Sequence, residues 1–124
     1  MNEKKTILVV DDDPSSRTLL EVYLEQQYNV LMAINGLEAI YMIENLHEKI
    51  DLVLLDLLMP SIDGLGVLEE LNESGLIENV PVAVISSEGS EIMKNQAYLY
   101  NVYDFITKPF TYEEVMHTVN RILS

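Results

Sequence analysis

The chain has no cysteine, which excludes disulfides and thiol chemistry and accords with a cytoplasmic setting. Positive charge is scarce. Seven Lys and Arg stand against 21 Asp and Glu, for a net charge of −14. So acidic a surface repels phosphate backbones and anionic lipid, which argues against direct binding of nucleic acid or membrane. It suits cations, or partners with a basic face. Long apolar runs are also missing. None approaches the ~18 residues of a membrane span. The N-terminus from Met1 to Thr6 is polar, and the apolar residues Ile7 to Val10 run straight into three Asp. That run is too short for the core of a signal peptide. Linkers, repeats and low-complexity stretches are lacking too. Residues 1–124 therefore read as one domain, and 48% hydrophobic content is enough for a real core.

What is present is organised around Asp51 to Gly64. Leu52 to Leu55 is an apolar run bounded by polar residues, the pattern of a strand buried on both faces. It ends on Asp56. Pro60 and the Asp63-Gly64 pair then break the strand and turn the chain. One carboxylate is thus delivered at the C-terminal end of a central strand, the edge where open α/β sheets bind ligands.

The remaining chain repeats this pattern. Ile7 to Val10 is a second buried strand, stopping at Asp11-Asp12-Asp13-Pro14. Asp13 and Pro14 suit the cap and first turn of a helix, expected to run to Gln27 with Leu19, Leu20, Tyr23 and Leu24 on one face. Tyr28 to Ala33 reads as a strand nearer an edge. A helix over 37–47 follows, burying Ala39, Ile40, Ile43 and Leu46. Beyond Gly64 a third helix carries Leu65, Leu68 and Leu71, and Asn72 to Pro81 reads as a polar loop. Val82 to Ile85 is the fourth strand, ending at Ser86. A helix over 90–100 and a strand over 102–107 come next, the latter ending at Lys108-Pro109. Thr111 and Glu114 form a capping box for a last helix that buries Val115, Val119 and Ile122. Five strands alternating with five helices imply right-handed βαβ crossovers and a doubly wound parallel sheet.

Four strand ends bring chemistry to one edge: Asp11 with Asp12, Asp56, Ser86 and Lys108. Three carboxylates in one cleft repel one another, and a raised pKa or a bound cation must offset that. Hard oxygen donors suit Mg²⁺. With a lysine and a hydroxyl nearby, the set is a phosphoryl-transfer site in which Asp56 can be the nucleophile. Alone, the three Asp would mark only an acid-rich helix start. They lack the spaced pattern of a calcium loop.

The whole chain resembles the receiver domain of two-component response regulators. The resemblance is carried by Ile7-Leu8-Val9-Val10-Asp11-Asp12, by Asp56-x-x-Met59-Pro60-x-x-Asp63-Gly64, by Ser86 after a strand led by Pro81, and by Lys108-Pro109-Phe110. It implies a flavodoxin-like (βα)5 fold with strand order 2-1-3-4-5. It implies that Asp56 accepts phosphate from a sensor histidine kinase or His-phosphotransfer protein. Asp11, Asp12, Asp56 and the backbone carbonyl of Leu58 would hold Mg²⁺. Lys108 and Ser86 would contact the phosphoryl group, and the Lys108–Pro109 bond would be cis. Ser86 and Phe105 would form the switch. A homodimer or output partner would use the face of the fourth helix, fifth strand and fifth helix. The chain would be a phospho-acceptor and not an enzyme in the usual sense.

Several positions depart from the common receiver pattern. Phe105 lacks the hydroxyl of the frequent Tyr. Ser87 replaces a small apolar residue, and Asn101-Val102 stands where Gly-Ala is usual. Leu58 and Glu88 occupy the positions that tune hydrolysis in the family. Most of Tyr98, Tyr100, Tyr103 and Phe105 are expected to be partly buried as core; His47 and His117 are expected to be solvated. A phosphatase with an Asp nucleophile usually carries a second Asp two residues on, where this chain has Leu58. A flavin carrier would need a hydroxyl- and Gly-rich loop where Asp11 to Asp13 stand. A receiver serving only as a docking module would not need the intact acid, hydroxyl and lysine set.

Overall fold

A computed structural model describes residues 3–59 and 62–124; Pro60 of the Asp56-to-Gly64 motif lies outside the described residues. The strands are β1 (Thr6–Val10), β2 (Asn29–Ala33), β3 (Leu52–Leu55), β4 (Val82–Ser86) and β5 (Asp104–Thr107). The helices are α1 (Pro14–Leu24), α2 (Gly36–Leu46), α3 (Gly64–Ser74), α4 (Glu91–Leu99) and α5 (Tyr112–Leu123). All strand pairs are parallel, and the sheet order is β2-β1-β3-β4-β5, the doubly wound arrangement that the sequence implied.

Strand composition explains the order. Every residue of β3 and β4 is buried, as the continuous apolar runs required, and these strands lie inside the sheet with β1. β2 and β5 have mixed burial and take the two edges. Alternate residues face opposite layers. Leu8, Val10, Val53, Leu55, Val82 and Val84 pack with Ala39, Ile43, Val67, Leu68 and Ala97 of α2, α3 and α4. Ile7, Val9, Leu52, Leu54, Ala83 and Ile85 pack with Leu20 and Leu24 of α1 and Val115 and Val119 of α5. Burying each Leu or Ile contributes about 1.5–3 kcal/mol, so both layers are needed to hold the sheet.

Some boundaries differ from the sequence reading. α1 stops at Leu24 because the Leu24 carbonyl accepts from Gln27 (3.1 Å) and Tyr28 (2.9 Å), which closes a turn. Leu19, placed on the apolar face, is exposed. The segment from Asn72 is not a plain loop. α3 continues to Ser74, Gly75 ends it at φ 81°, and a 3-10 turn over Leu76–Glu78 buries Ile77. β5 starts at Asp104, after Asn101 has taken φ 65°. Asn tolerates this left-handed region, which accounts for its standing where Gly is usual. On α5, Ile122 is half-buried, whereas Met116, Thr118 and Leu123 are buried.

Candidate functional site

Backbone pairing carries the sheet one residue past the strand ends. The Asp11 amide donates to the Ala33 carbonyl (3.2 Å), Asp56 to Val10 (2.9 Å) and Lys108 to Ser86 (2.8 Å). Since Val10 pairs with Leu55 and Ser86 with Thr107, the ladder delivers Asp11, Asp56, Ser86 and Lys108 to one edge. Ligand oxygens of Asp11, Asp12 and Asp56 all lie within 4.8 Å of one another. Lys108 Nζ donates to Asp11 Oδ2 at 2.8 Å and to Asp56 Oδ2 at 3.4 Å. The remaining oxygens are held by main chain: Asp11 Oδ1 accepts from the Asp13 amide (2.9 Å) and Asp56 Oδ1 from the Leu58 amide (3.1 Å). The Lys108–Pro109 peptide bond is cis.

Burial sets the electrostatics. Asp11 is 2% exposed and Asp56 5%, while Asp12 is exposed to solvent. Burial pushes the Asp56 carboxyl up to about 6, opposed by the Leu58 amide, supported by the negative charge of Asp11 and opposed again by Lys108. For Lys108 burial works downward, but its bonds and charge contacts with Asp11 and Asp56 win and raise it. At neutral pH three carboxylates face one ammonium, leaving two negative charges uncompensated. A divalent cation of hard character matches that deficit and that donor set.

Ser86 is fully buried, and its Oγ accepts from the Glu88 amide (3.2 Å). Glu88 itself is half-buried. Phe105 is half-buried against the α2–α4 layer, with the Lys94 ammonium 5.9 Å from its ring centre. Leu58 is 45% exposed. Tyr98 and Tyr103 are exposed and only Tyr100 and Phe105 pack on the core, so half of that aromatic group departs from the expected burial. His117 is exposed and His47 is half-buried at the C-cap of α2.

The family model of the response regulator receiver domain matches residues 7–120. The chain belongs to the response regulator receiver family. Among curated relatives it is 39% identical over 123 residues to the transcriptional regulatory protein ResD of Bacillus subtilis, covering 98% of this chain and 49% of that protein. It is 38% identical over 124 residues to the alkaline phosphatase synthesis transcriptional regulatory protein PhoP of the same organism, covering 99% and 49%. The chain thus spans about half the length of the curated relatives it matches. Among solved structures, the receiver domain of Francisella response regulator 1452 superposes with TM-score 0.87 at 27% identity, covering 97% of each chain. A chain of the CheX-CheY-BeF3-Mg²⁺ complex from Borrelia burgdorferi gives TM-score 0.87 at 28% identity, covering 97% of this chain and 90% of that one.

Three features of this receiver escaped sequence reasoning. Arg17 Nη1 donates to the Asp11 carbonyl (2.7 Å). Asp104 accepts from Thr118 Oγ1 (3.2 Å), from Arg121 and from the Phe105 amide (2.8 Å), which ties the backbone at Phe105 to α5. Gly89 packs so closely that a Cβ there would meet Thr107 Cγ2 at 2.8 Å. Only Gly89 carries a sequence signal, a glycine in the loop after β4. The other two are side-chain bonds between elements, which no local pattern marks.

Proposed function

We propose that this receiver, spanning residues 1–124, accepts a phosphoryl group on Asp56 from a phosphohistidine of a sensor histidine kinase or His-phosphotransfer protein. The observation that carries the reading is the convergence of Asp11, Asp12 and Asp56 within 4.8 Å with Lys108 bonded to two of them. An Asp56 carboxylate oxygen attacks phosphorus, an acyl phosphate forms, and the imidazole leaves with a proton as the P–N bond breaks. Mg²⁺ would be held by Asp11, Asp12, Asp56 and the Leu58 carbonyl. When bound, it supplies charge neutralisation at the phosphoryl oxygens. A relative of known structure was solved as a complex with BeF3 and Mg²⁺, in keeping with that assignment. Asp11 would hold the ion partly through water. Lys108 exchanges a carboxylate for a phosphoryl oxygen, and Ser86 donates its hydroxyl to another. Ser86 and Phe105 are the switch, and Leu58 and Glu88 tune hydrolysis. The chain acts as a phospho-acceptor that catalyses only its own phosphorylation and dephosphorylation, not as an enzyme with turnover.

Output runs through the α4–β5–α5 face, to a homodimer mate or an output partner, where Ile92, Leu99 and Tyr103 are exposed. The curated relatives named above are transcriptional regulators. With a net charge of −14, this receiver is not the surface that touches nucleic acid; an output module or partner would do so. Among the described residues no helix is long and apolar enough to cross a membrane, and we place the protein in the cytoplasm with no membrane contact.

The test is intact mass after incubation with Mg²⁺ and acetyl phosphate, on wild type and Asp56→Asn. One added phosphate, absent in the variant and absent without Mg²⁺, supports the reading. No adduct on a folded protein would overturn it and favour a receiver used only for docking.

A further inference from the structure

The β1–α1 loop carries two of the three clustered carboxylates, and two side chains reach back to it from the helix: Ser16 Oγ to the Asp13 carboxylate (3.2 Å) and Arg17 to Asp11. Arg17 lies on α1, where its amide bonds the Asp13 carbonyl (3.1 Å). Its guanidinium turns back to donate to the Asp11 carbonyl at 2.7 Å, in a half-buried contact. Asp13 completes the bracket from the other direction. Its side chain caps α1 through the Ser15 amide (3.1 Å), and its own amide bonds Asp11 Oδ1 (2.9 Å). The loop is therefore closed at both ends, by Asp13 onto the helix and by Arg17 onto Asp11.

A guanidinium at this place has two effects of opposite sign on a bound cation. As a charge, it repels Mg²⁺ and weakens binding. As a fixed donor on the Asp11 main chain, it holds the loop so that the Asp11 and Asp12 carboxylates face Asp56, which strengthens binding by preorganisation. We propose that Arg17 is a positioning residue whose bond to the Asp11 carbonyl aligns the β1–α1 carboxylates for a divalent cation. This rests on the reading of the cleft as a Mg²⁺ site. The planar fork loses less freedom per bond than a lysine would, which suits it to the task.

The sign of the effect decides the matter. Mg²⁺ alone is titrated into the metal-free full chain, followed by amide NMR shifts, for wild type, Arg17→Met and Arg17→Lys. Urea midpoints report on general stability. Positioning predicts that Arg17→Met weakens Mg²⁺ binding by about fivefold or more, the least expected when a charged donor is lost from a half-buried carbonyl. Arg17→Lys should recover part of the loss, because its ammonium can still donate. Arg17→Met binding Mg²⁺ more tightly than wild type would overturn the proposal in favour of a charge-only role, and equal binding would overturn it by showing no role in binding. If wild type binds no Mg²⁺, the reading of the cleft fails on its own, and hydrogen exchange in the metal-free protein still decides for Arg17. Faster exchange of the Asp13 and Ser15 amides in Arg17→Met supports the positioning role, and unchanged exchange rejects it.

Discussion

Lys108 Nζ stands 2.8 Å from Asp11 Oδ2 but 3.4 Å from Asp56 Oδ2. The lysine gives its shorter bond to Asp11 and not to Asp56, the proposed phospho-acceptor. Asp56 is left with partial neutralisation only, which is consistent with a carboxyl held up at about 6 by burial and by the charge of Asp11. Removing the ammonium removes a charge that favours ionised Asp56. Lys108→Met is therefore expected to raise the Asp56 pKa further, read by carboxyl-carbon NMR titration in metal-free buffer. An unchanged value would show that the 3.4 Å contact carries little interaction.

The same burial gives a pH dependence of stability. The Asp56 pKa is raised from 3.8 to about 6 in the folded protein. Between those values the native state binds more protons than the unfolded state, so stability falls as pH rises through that window. At neutral pH the ionised group costs up to about 3 kcal/mol, at about 1.36 kcal/mol per pKa unit. Asp56→Asn keeps an acceptor for the Leu58 amide and loses the charge. It should be more stable than wild type by about 1–3 kcal/mol in urea at neutral pH, with the gap closing toward pH 4. Mg²⁺, bound by the folded wild type as proposed, should narrow the gap. A wild type more stable than Asp56→Asn at neutral pH in chelator would contradict this account.

Gly64 fixes α3 against the segment that carries Asp56. A Cβ at Gly64 would meet the Asp56 carbonyl oxygen at 2.4 Å and Leu57 Cα at 2.5 Å. Both are main-chain atoms and cannot swing aside. Gly64→Ala should destabilise by about 3 kcal/mol, the upper end for overpacking, and slow phosphorylation by displacing Asp56. Gly75→Ala is the control. That residue has φ 81° and open space around it, so only the backbone penalty of about 1 kcal/mol is expected, with phosphorylation untouched. Thermal unfolding and the intact-mass assay separate the two effects.

Much of this was legible in the sequence because the chemistry sits where strands stop. A continuous apolar run that ends on Asp56 reports both a buried strand and the group at its end, and the same holds for Val10 before Asp11 and Ile85 before Ser86. Edges were harder to read. β5 begins only after Asn101 has turned the chain, and Tyr103 is already bonded to the Val82 carbonyl (2.7 Å) before the strand begins. The turn after Leu24 and the short turn at Leu76 depend on main-chain bonds that side-chain patterns do not record. Arg17 was invisible for a related reason. On a helix it reads as one more solvated cation, and only the folded loop supplies the carbonyl that it bonds.

With Asp56 as the proposed phospho-acceptor, Leu58 is expected to bear on how long the phosphorylated state lasts. It lies two residues beyond Asp56, its amide donates to Asp56 Oδ1 (3.1 Å), and the residue is 45% exposed. A leucine there has no polar atom with which to hold a water in line with phosphorus. At Glu88, the second position proposed to tune hydrolysis, the amide donates to Ser86 Oγ (3.2 Å) and the residue is half-buried. Leu58→Asn would add an amide able to orient that water. Even about 1 kcal/mol of transition-state stabilisation is worth roughly fivefold in rate. The acyl phosphate of wild type is therefore expected to outlast that of Leu58→Asn by about fivefold or more, followed by intact mass after removal of the phosphodonor with Mg²⁺ held constant. Equal lifetimes would move control of hydrolysis from residue 58 to Glu88, and Glu88→Ala would then be the variant that lengthens the signal.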